Sequence, residues 1–184
     1  VLATMGMVEK AISNKVKQFI LASSGSVYGV KEEERVTEEL PLVPISDYNK
    51  TKMISERVLL SYKDQIIVQC IRPATVCGYS PRMRLDLLVN DFTYRAVNDK
   101  FVVLFEAHFK RNYLHVRDAA RAFIHAIKNY PAMKGRTYNV GLSEANLSKL
   151  ELCEQIQKQV PEFHFPISEI GKDPDKRDYI VSNE

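Results

Sequence analysis

Apolar residues along the first half of the chain alternate between helical repeats and short continuous runs. The runs at 18–22 and 66–71 lack the polar alternation of a half-exposed strand, which is typical of parallel strands buried on both faces. The segments 1–14 and 46–62 carry apolar residues at helical spacing, and Ser46 and Asp47 provide a cap for the second of them. Helix, strand, helix and strand in this order predict parallel βα units.

The second half of the chain shows a looser alternation of the same two patterns. It predicts helices over 85–97, 117–129 and 147–160, and strands over 101–105, 113–114 and 137–140. We therefore expect an α/β protein with a doubly wound parallel sheet and a smaller mixed α/β lobe. Residues 1–75 are expected to belong to the sheet domain, and residues 76–184 to the lobe, interleaved with the last elements of the sheet.

Serines follow the first predicted strand directly, in the stretch "FILASSGSVYG". Ligands of open α/β sheets bind just beyond the carboxyl ends of the strands. Ser23, Ser24 and Ser26 therefore indicate a binding or catalytic site, although three serines in this position also suit a polar turn.

Tyr48 and Lys52 lie four residues apart at the start of the second predicted helix and so share one helical face. Ionising a tyrosine at neutral pH costs about 4 kcal/mol. One ammonium group about 4 Å away supplies roughly that amount at an effective dielectric constant near 20. With a serine hydroxyl on the other side of the substrate oxygen, the pair suits oxidation of an alcohol to a ketone by hydride transfer, but the spacing alone also fits an exposed surface pair.

Composition limits the partners of the chain. The net charge of +3 arises from 26 basic and 23 acidic residues that are interspersed, so a nucleic-acid partner is not expected. No apolar segment approaches the roughly 20 residues that a membrane span requires. Cys70, Cys77 and Cys153 have no metal-site or disulfide spacing, which indicates free thiols in a reducing cytoplasm and no metal site.

Four motifs follow one another in a familiar order: "ASSGSVYG", "YNKTK", "IRPATVCG" and "RNYLHVRDAARAF". With them the whole chain resembles the extended short-chain dehydrogenases/reductases, the NAD-dependent epimerase/dehydratase family that modifies nucleotide sugars. The resemblance implies a Rossmann-like fold, NAD as cofactor with NADP left open, and a nucleotide-diphosphate sugar as substrate. The segments "SPRMRLDLLVNDFTYRA" and "DPDKRDYIVSN" most resemble bacterial family members that act on GDP-heptose, including 4-dehydrogenases.

The resemblance also implies roles for single residues. Ser24 matches the catalytic serine, Tyr48 the base that takes the proton of the sugar hydroxyl, and Lys52 the residue that holds the nicotinamide ribose. The implied cofactor-binding residues are Ser23, Tyr48, Lys52, Pro73 and Thr75. The implied substrate-binding residues are Ser24, Gly25, Ser26, Thr75, Asn90, Arg111 and Arg177. Family members form homodimers through the helices that correspond here to 1–14 and 48–62, so we expect a homodimer or a higher homo-oligomer.

Two departures from the family pattern limit the prediction. The 4,6-dehydratases of the family place Asp-Glu after the catalytic Ser or Thr, whereas Gly25 and Ser26 stand here; this favours oxidation at C4, as a dehydrogenase or as half of an epimerase cycle. The seven glycines do not form the family's Gly-x-x-Gly-x-x-Gly cofactor motif, so the chain by itself is not expected to bind the adenosine half of NAD. The chain is therefore either part of a longer enzyme or a non-catalytic member that binds a nucleotide or a protein.

Overall fold

The computed structural model describes residues 1–30 and 35–169. Its helices are α1 (Leu2–Ser13), α2 (Asp47–Leu60), α3 (Leu88–Asn98), α4 (Val116–Lys128), α5 (Tyr130–Met133) and α6 (Lys149–Gln159). Its strands are β1 (Gln18–Ala22), β2 (Ile67–Pro73), β3 (Thr75–Cys77), β4 (Leu104–Phe105), β5 (Lys110–His115), β6 (Arg136–Val140), β7 (Asn146–Ser148) and β8 (Ile167–Ser168). Within the described part of the chain, no helix is long and apolar enough to cross a membrane.

The main sheet has the strand order β1-β2-β6, and both of its pairings are parallel. Side chains of β2 alternate between its two faces, so that Val68 and Cys70 pack into a cluster with residues of α1 and α2. Gln69 points the other way and donates a hydrogen bond of 3.2 Å to the carbonyl oxygen of Ala126 in α4. Helices cover both faces of the sheet, and the expected doubly wound, Rossmann-like α/β fold is confirmed.

A second sheet has the order β3-β5-β7, in which β3 and β5 are parallel and β5 and β7 antiparallel. It shares a core with α3 and α6, formed by Phe92, Leu104, Tyr113, Leu152 and Phe163. The chain beyond residue 76 also returns to the main sheet as β6. The division into a cofactor domain at 1–75 and a substrate lobe at 76–184 stays a proposal.

Several predicted elements differ from the observed ones for identifiable reasons. β1 is an edge strand of the described sheet, so its residues are half-buried or exposed and only β2 shows the expected burial. The predicted strand 101–105 shrinks to β4, preceded by one isolated bridge at Phe101. The last helix begins two residues late because Asn146–Ser148 form β7, after which Ser148 and Glu151 make a capping box. The strands β3, β7 and β8 and the short helix α5 were not predicted.

Gly29 ends a single turn of 3-10 helix, Gly25–Tyr28, that follows β1. Its φ is 75°, in the left-handed region that a side chain disfavours. A Cβ atom here would also collide with the carbonyl oxygen of Val43. Glycine at this position therefore lets the chain pass close to the 43–45 loop and fixes the turn that carries the serines.

The three thiols are free, and those of Cys70 and Cys153 are buried. Burial raises the pKa of Cys70 to about 12 and that of Cys153 to about 12, and it also raises the pKa of the partly buried Cys77. Because only the thiolate is nucleophilic, we expect iodoacetamide to leave Cys70 and Cys153 unmodified in the native protein, with any early labelling at Cys77. Peptide mass spectrometry after timed alkylation measures this, and labelling of Cys70 at the rate of a free cysteine would contradict it.

Candidate active site

A cleft of about 380 Å³ opens at the carboxyl ends of β1 and β2. This is the edge at which parallel sheets bind ligands. The described residues that line it are Ser23, Ser24, Tyr48, Pro73, Ala74, Thr75, Val76, Arg84 and Leu87. The structure therefore brings the serines after β1, the tyrosine of α2 and the residues after β2 to one place.

Ser24 is held at the rim of the cleft by the turn that follows β1. Its backbone is extended (φ −159°, ψ 141°), and its Oγ accepts a hydrogen bond of 3.2 Å from the backbone N–H of Ser26. The hydroxyl oxygens of Ser24 and Ser26 are 2.8 Å apart. The Ser24 hydroxyl is thus fixed by its neighbours while its residue still lines the cleft.

Tyr48 and Lys52 come from the first turns of α2. The hydroxyl of Ser46 caps this helix by accepting from the N–H of Asn49, which sets where the helix begins. Tyr48 is 56% exposed and faces the cleft, and the Nζ of Lys52 lies 5.6 Å from the centre of its ring. The same Nζ donates a 2.7 Å hydrogen bond to the carbonyl oxygen of Ala22 at the end of β1. Lys52 therefore connects the serine strand to the tyrosine.

A buried ion pair supports this arrangement from beneath. Arg72 donates from Nε to Oε1 of Glu56 at 2.9 Å and from Nη2 to Oε2 at 2.6 Å, and its Nη1 donates to the hydroxyl of Tyr28 at 2.6 Å. Both charged residues are at most 5% exposed. Burial raises the pKa of Tyr28, whose hydroxyl donates to Oδ1 of Asn139 in β6.

The ion pair was not predicted from the sequence, although a signal was present. Arg72 ends a largely apolar run, and Glu56 follows Lys52 by one helical turn on the same face. A charge in such a position needs a buried partner. The network joins α2, β2, β6 and the turn Gly25–Tyr28, so it fixes the elements from which the cleft is built.

The remaining predicted residues lie elsewhere. Gly25 and Ser26 are buried in the turn and do not line the cleft. Asn90 accepts from the N–H of Gly78, donates to the carbonyl of Arg84, and lines a second pocket of about 480 Å³ beside α3. Arg111 is buried in β5 and is likewise absent from the cleft lining, and Arg177 lies outside the described residues. Their roles stay predictions.

The cleft residues fit the nicotinamide end of a dinucleotide. The Ser23 hydroxyl is buried in the cleft wall without a hydrogen-bond partner among the residues that the structure describes. A buried hydroxyl without a hydrogen-bond partner favours the binding of a ligand that supplies one. This hydroxyl offers a polar contact to a ribose or an amide, and the Lys52 ammonium lies beside the Tyr48 ring, although Lys52 itself is not among the residues that line the cleft. The described chain holds no group of three potential metal ligands.

Comparisons with known proteins agree with this fold. A relative named as an uncharacterized UDP-glucose epimerase of Bacillus subtilis is 26% identical over 166 residues, which cover 89% of this chain and 52% of the relative. A dTDP-glucose 4,6-dehydratase from Bacillus anthracis, solved in complex with NAD, superposes with a TM-score of 0.85 at 24% identity over 100% of this chain and 58% of its own. A UDP-glucuronic acid 4-epimerase from Bacillus cereus, solved with UDP-glucuronic acid and NAD, superposes with a TM-score of 0.79 at 25% identity. The match covers 98% of this chain and 58% of the epimerase chain.

The chain spans about half the length of the curated relatives it matches. The family model described as "NAD dependent epimerase/dehydratase family" matches residues 1–141, which is more than half of the chain. The match includes the serine turn, the start of α2 and the end of β2, and so contains Ser24, Tyr48 and Lys52. The chain belongs to the NAD-dependent epimerase/dehydratase family.

Proposed function

We propose that the natural protein carrying this chain is an NAD-dependent oxidoreductase or epimerase that acts at C4 of a nucleotide-diphosphate sugar. The observation that carries the proposal is the meeting of Ser24 and Tyr48 in one cleft, with Lys52 beside the tyrosine ring. NAD is present in solved relatives of the same fold, and one of them holds UDP-glucuronic acid as well.

Each residue of this group has a distinct part in the proposed reaction. Tyr48 takes the proton of the sugar hydroxyl, and the ammonium of Lys52 stabilises the phenolate that accepts it. Ser24 holds the sugar oxygen in line and donates a hydrogen bond as that oxygen becomes a carbonyl. Ser23, Lys52, Pro73 and Thr75 would hold the nicotinamide end of NAD, which supplies a hydride acceptor when bound. NADP remains open as the cofactor.

A dehydratase is less well supported. Removing water from the sugar requires a carboxylic acid and a carboxylate near the catalytic serine. Gly25 and Ser26 occupy the two positions after Ser24, and no Asp or Glu is among the described residues that line the cleft. This favours oxidation at C4, either as a net reaction or as the first half of an epimerisation.

Contacts to the nucleotide diphosphate are also part of the proposal. Arg111 and Arg177 are assigned to the phosphates, because an arginine fork matches phosphate oxygens in charge and geometry. Thr75 lines the cleft and is assigned to the sugar. Asn90 is assigned to the nucleotide.

We further propose that the protein works as a homodimer or a higher homo-oligomer in the cytoplasm. The exposed side chains of Leu2, Met5 and Met7 on α1 and of Ile54 on α2 leave apolar surface that a second copy would cover. The cysteines are free thiols, which suits a reducing compartment.

The test is turnover by the intact protein with NAD and UDP-, dTDP- and GDP-hexoses. Accumulation of reduced cofactor with a 4-keto sugar identifies a dehydrogenase, and a C4 epimer without net cofactor change identifies an epimerase. We expect Ser24→Ala to lower kcat by about 100-fold, the order found when one donor to a developing oxyanion is removed. Ser61→Ala, at an exposed position at the far end of α2, is the matched control. Absence of both turnover and NAD binding would favour a non-catalytic binding module.

A further inference from the structure

The side chain of Asn49 is buried directly behind the catalytic serine. The hydroxyl of Ser26 donates a 2.7 Å hydrogen bond to its Oδ1, and Ser26 and Asn49 are 2% and 5% exposed. Asn49 adjoins Tyr48 in the chain but does not line the cleft. It is therefore linked to Ser24 through Ser26, with no direct contact to a ligand in the cleft.

The number of protons that Ser24, Ser26 and Asn49 can donate fixes the direction of the hydrogen bonds between their side chains. A serine hydroxyl has one proton to donate, and an amide oxygen can only accept. Because Ser26 gives its proton to Asn49, the 2.8 Å contact between the two serines must use the proton of Ser24. In this arrangement Ser24 cannot donate a hydrogen bond to a ligand, and accepting one from the sugar hydroxyl would compete with transfer of that single proton to Tyr48.

Oxidation of the sugar requires the hydrogen bond between Ser24 and Ser26 to run in the opposite direction. A carbonyl oxygen accepts only, so Ser24 must turn its proton toward the cleft as the carbonyl forms. Ser24 keeps its contact with Ser26 only if Ser26 then donates to it. For that, Asn49 must present its NH₂ group to Ser26 in place of its oxygen.

We propose that Asn49 is a positioning residue that sets the direction of the Ser24–Ser26 hydrogen bond. With its oxygen toward Ser26 it leaves Ser24 without a proton to donate, and rotation of the amide makes Ser24 a donor to the sugar oxygen, whose own proton goes to Tyr48. An amide is suited to this because it carries an acceptor and a donor at the two ends of one planar group. This inference rests on the proposed function and deepens it.

The test compares Asn49→Asp with Asn49→Ala in the intact protein, at a mildly alkaline pH that keeps the new carboxyl ionised. A carboxylate has the shape of the amide but only accepts, so it locks Ser24 as an acceptor. We expect Asn49→Asp to lower kcat by about 100-fold, comparable to loss of the Ser24 donor, with KM nearly unchanged. Asn49→Ala leaves Ser26 free to donate to Ser24, and its kcat should fall by less than about 10-fold, in keeping with a small net hydrogen-bond contribution.

A purely structural role predicts the reverse order, because alanine removes more contacts than aspartate does. If Asn49→Ala is the more damaging variant, or if Asn49→Asp has the kcat of the wild type, the inference is overturned. Thermal unfolding of both variants shows whether they fold. Lys50→Gln, at an exposed position on the same helix, is the control.

The Ser26→Ala background separates the hydrogen-bond direction from a simple effect of the new charge. Without the Ser26 hydroxyl, Asn49→Asp should change kcat by less than about 2-fold, since only coupled residues depart from additivity. An undiminished loss in that background would assign the effect to charge and overturn the inference. Full turnover by a Tyr48→Phe variant would instead remove the proposed function itself.

Discussion

Replacing Tyr48 with phenylalanine is expected to reduce turnover of the nucleotide sugar by about 1,000-fold, within the range that a positioned acid–base group contributes. The substitution removes one oxygen, which is the proposed proton acceptor for the sugar hydroxyl. Tyr48 is 56% exposed, so the stability of the protein should change by no more than about 0.5 kcal/mol. Steady-state kcat with the preferred sugar, together with thermal unfolding, measures both effects.

The chain offers a matched control for this variant. Tyr130 and Lys134 repeat the four-residue spacing of Tyr48 and Lys52, but Tyr130 belongs to the short helix α5 and does not line the cleft. Tyr130→Phe should retain the kcat of the wild type. Turnover within about 3-fold of the wild type in Tyr48→Phe would contradict the assignment, since loss of an acid–base group costs at least about 100-fold.

The control pair also shows why the sequence could predict that Ser24 and Tyr48 lie close together. Spacing alone does not distinguish Tyr48 from Tyr130, but Tyr48 begins the helix that follows a strand ending in serines. In a parallel sheet that order brings both segments to the carboxyl edge. The convergence of Ser24 and Tyr48 therefore depends on the local pattern and on one βα connection, and both can be derived from the sequence.

The supporting side chains could not be located in the same way. The turn buries Ser26 against Asn49, 23 positions further along the chain, and no sequence pattern indicated this contact; the substrate-binding role of Ser26 stays a prediction. Arg72 contacts Glu56 and Tyr28 across separations of 16 and 44 positions. Periodicity describes which face a residue occupies but not which distant residue it meets. The pairing of charges beneath the cleft thus requires the three-dimensional structure.

Glu56→Ala is expected to lower the free energy of unfolding by about 3–5 kcal/mol, because it leaves the Arg72 guanidinium buried without its carboxylate. Such a loss is a large part of the roughly 5–15 kcal/mol by which folded domains are stable. Both oxygens of Glu56 accept from Arg72, at 2.9 and 2.6 Å, so one substitution removes two charge-assisted hydrogen bonds. Urea unfolding of the natural protein and of the variant measures the difference.

Two further variants separate the buried charge from a general loss of packing. Asp118→Ala breaks the exposed pair with Arg121, where the ionic contact is 2.8 Å long, and should cost less than about 1 kcal/mol. Replacing Glu56 and Arg72 together by methionine removes both charges and should recover a substantial part of the stability lost in Glu56→Ala. If Glu56→Ala is no less stable than Asp118→Ala, the buried ion pair does not hold α2 to β2. The support inferred for Tyr48 and Lys52 must then come from the capping of α2 and from its packing against α1.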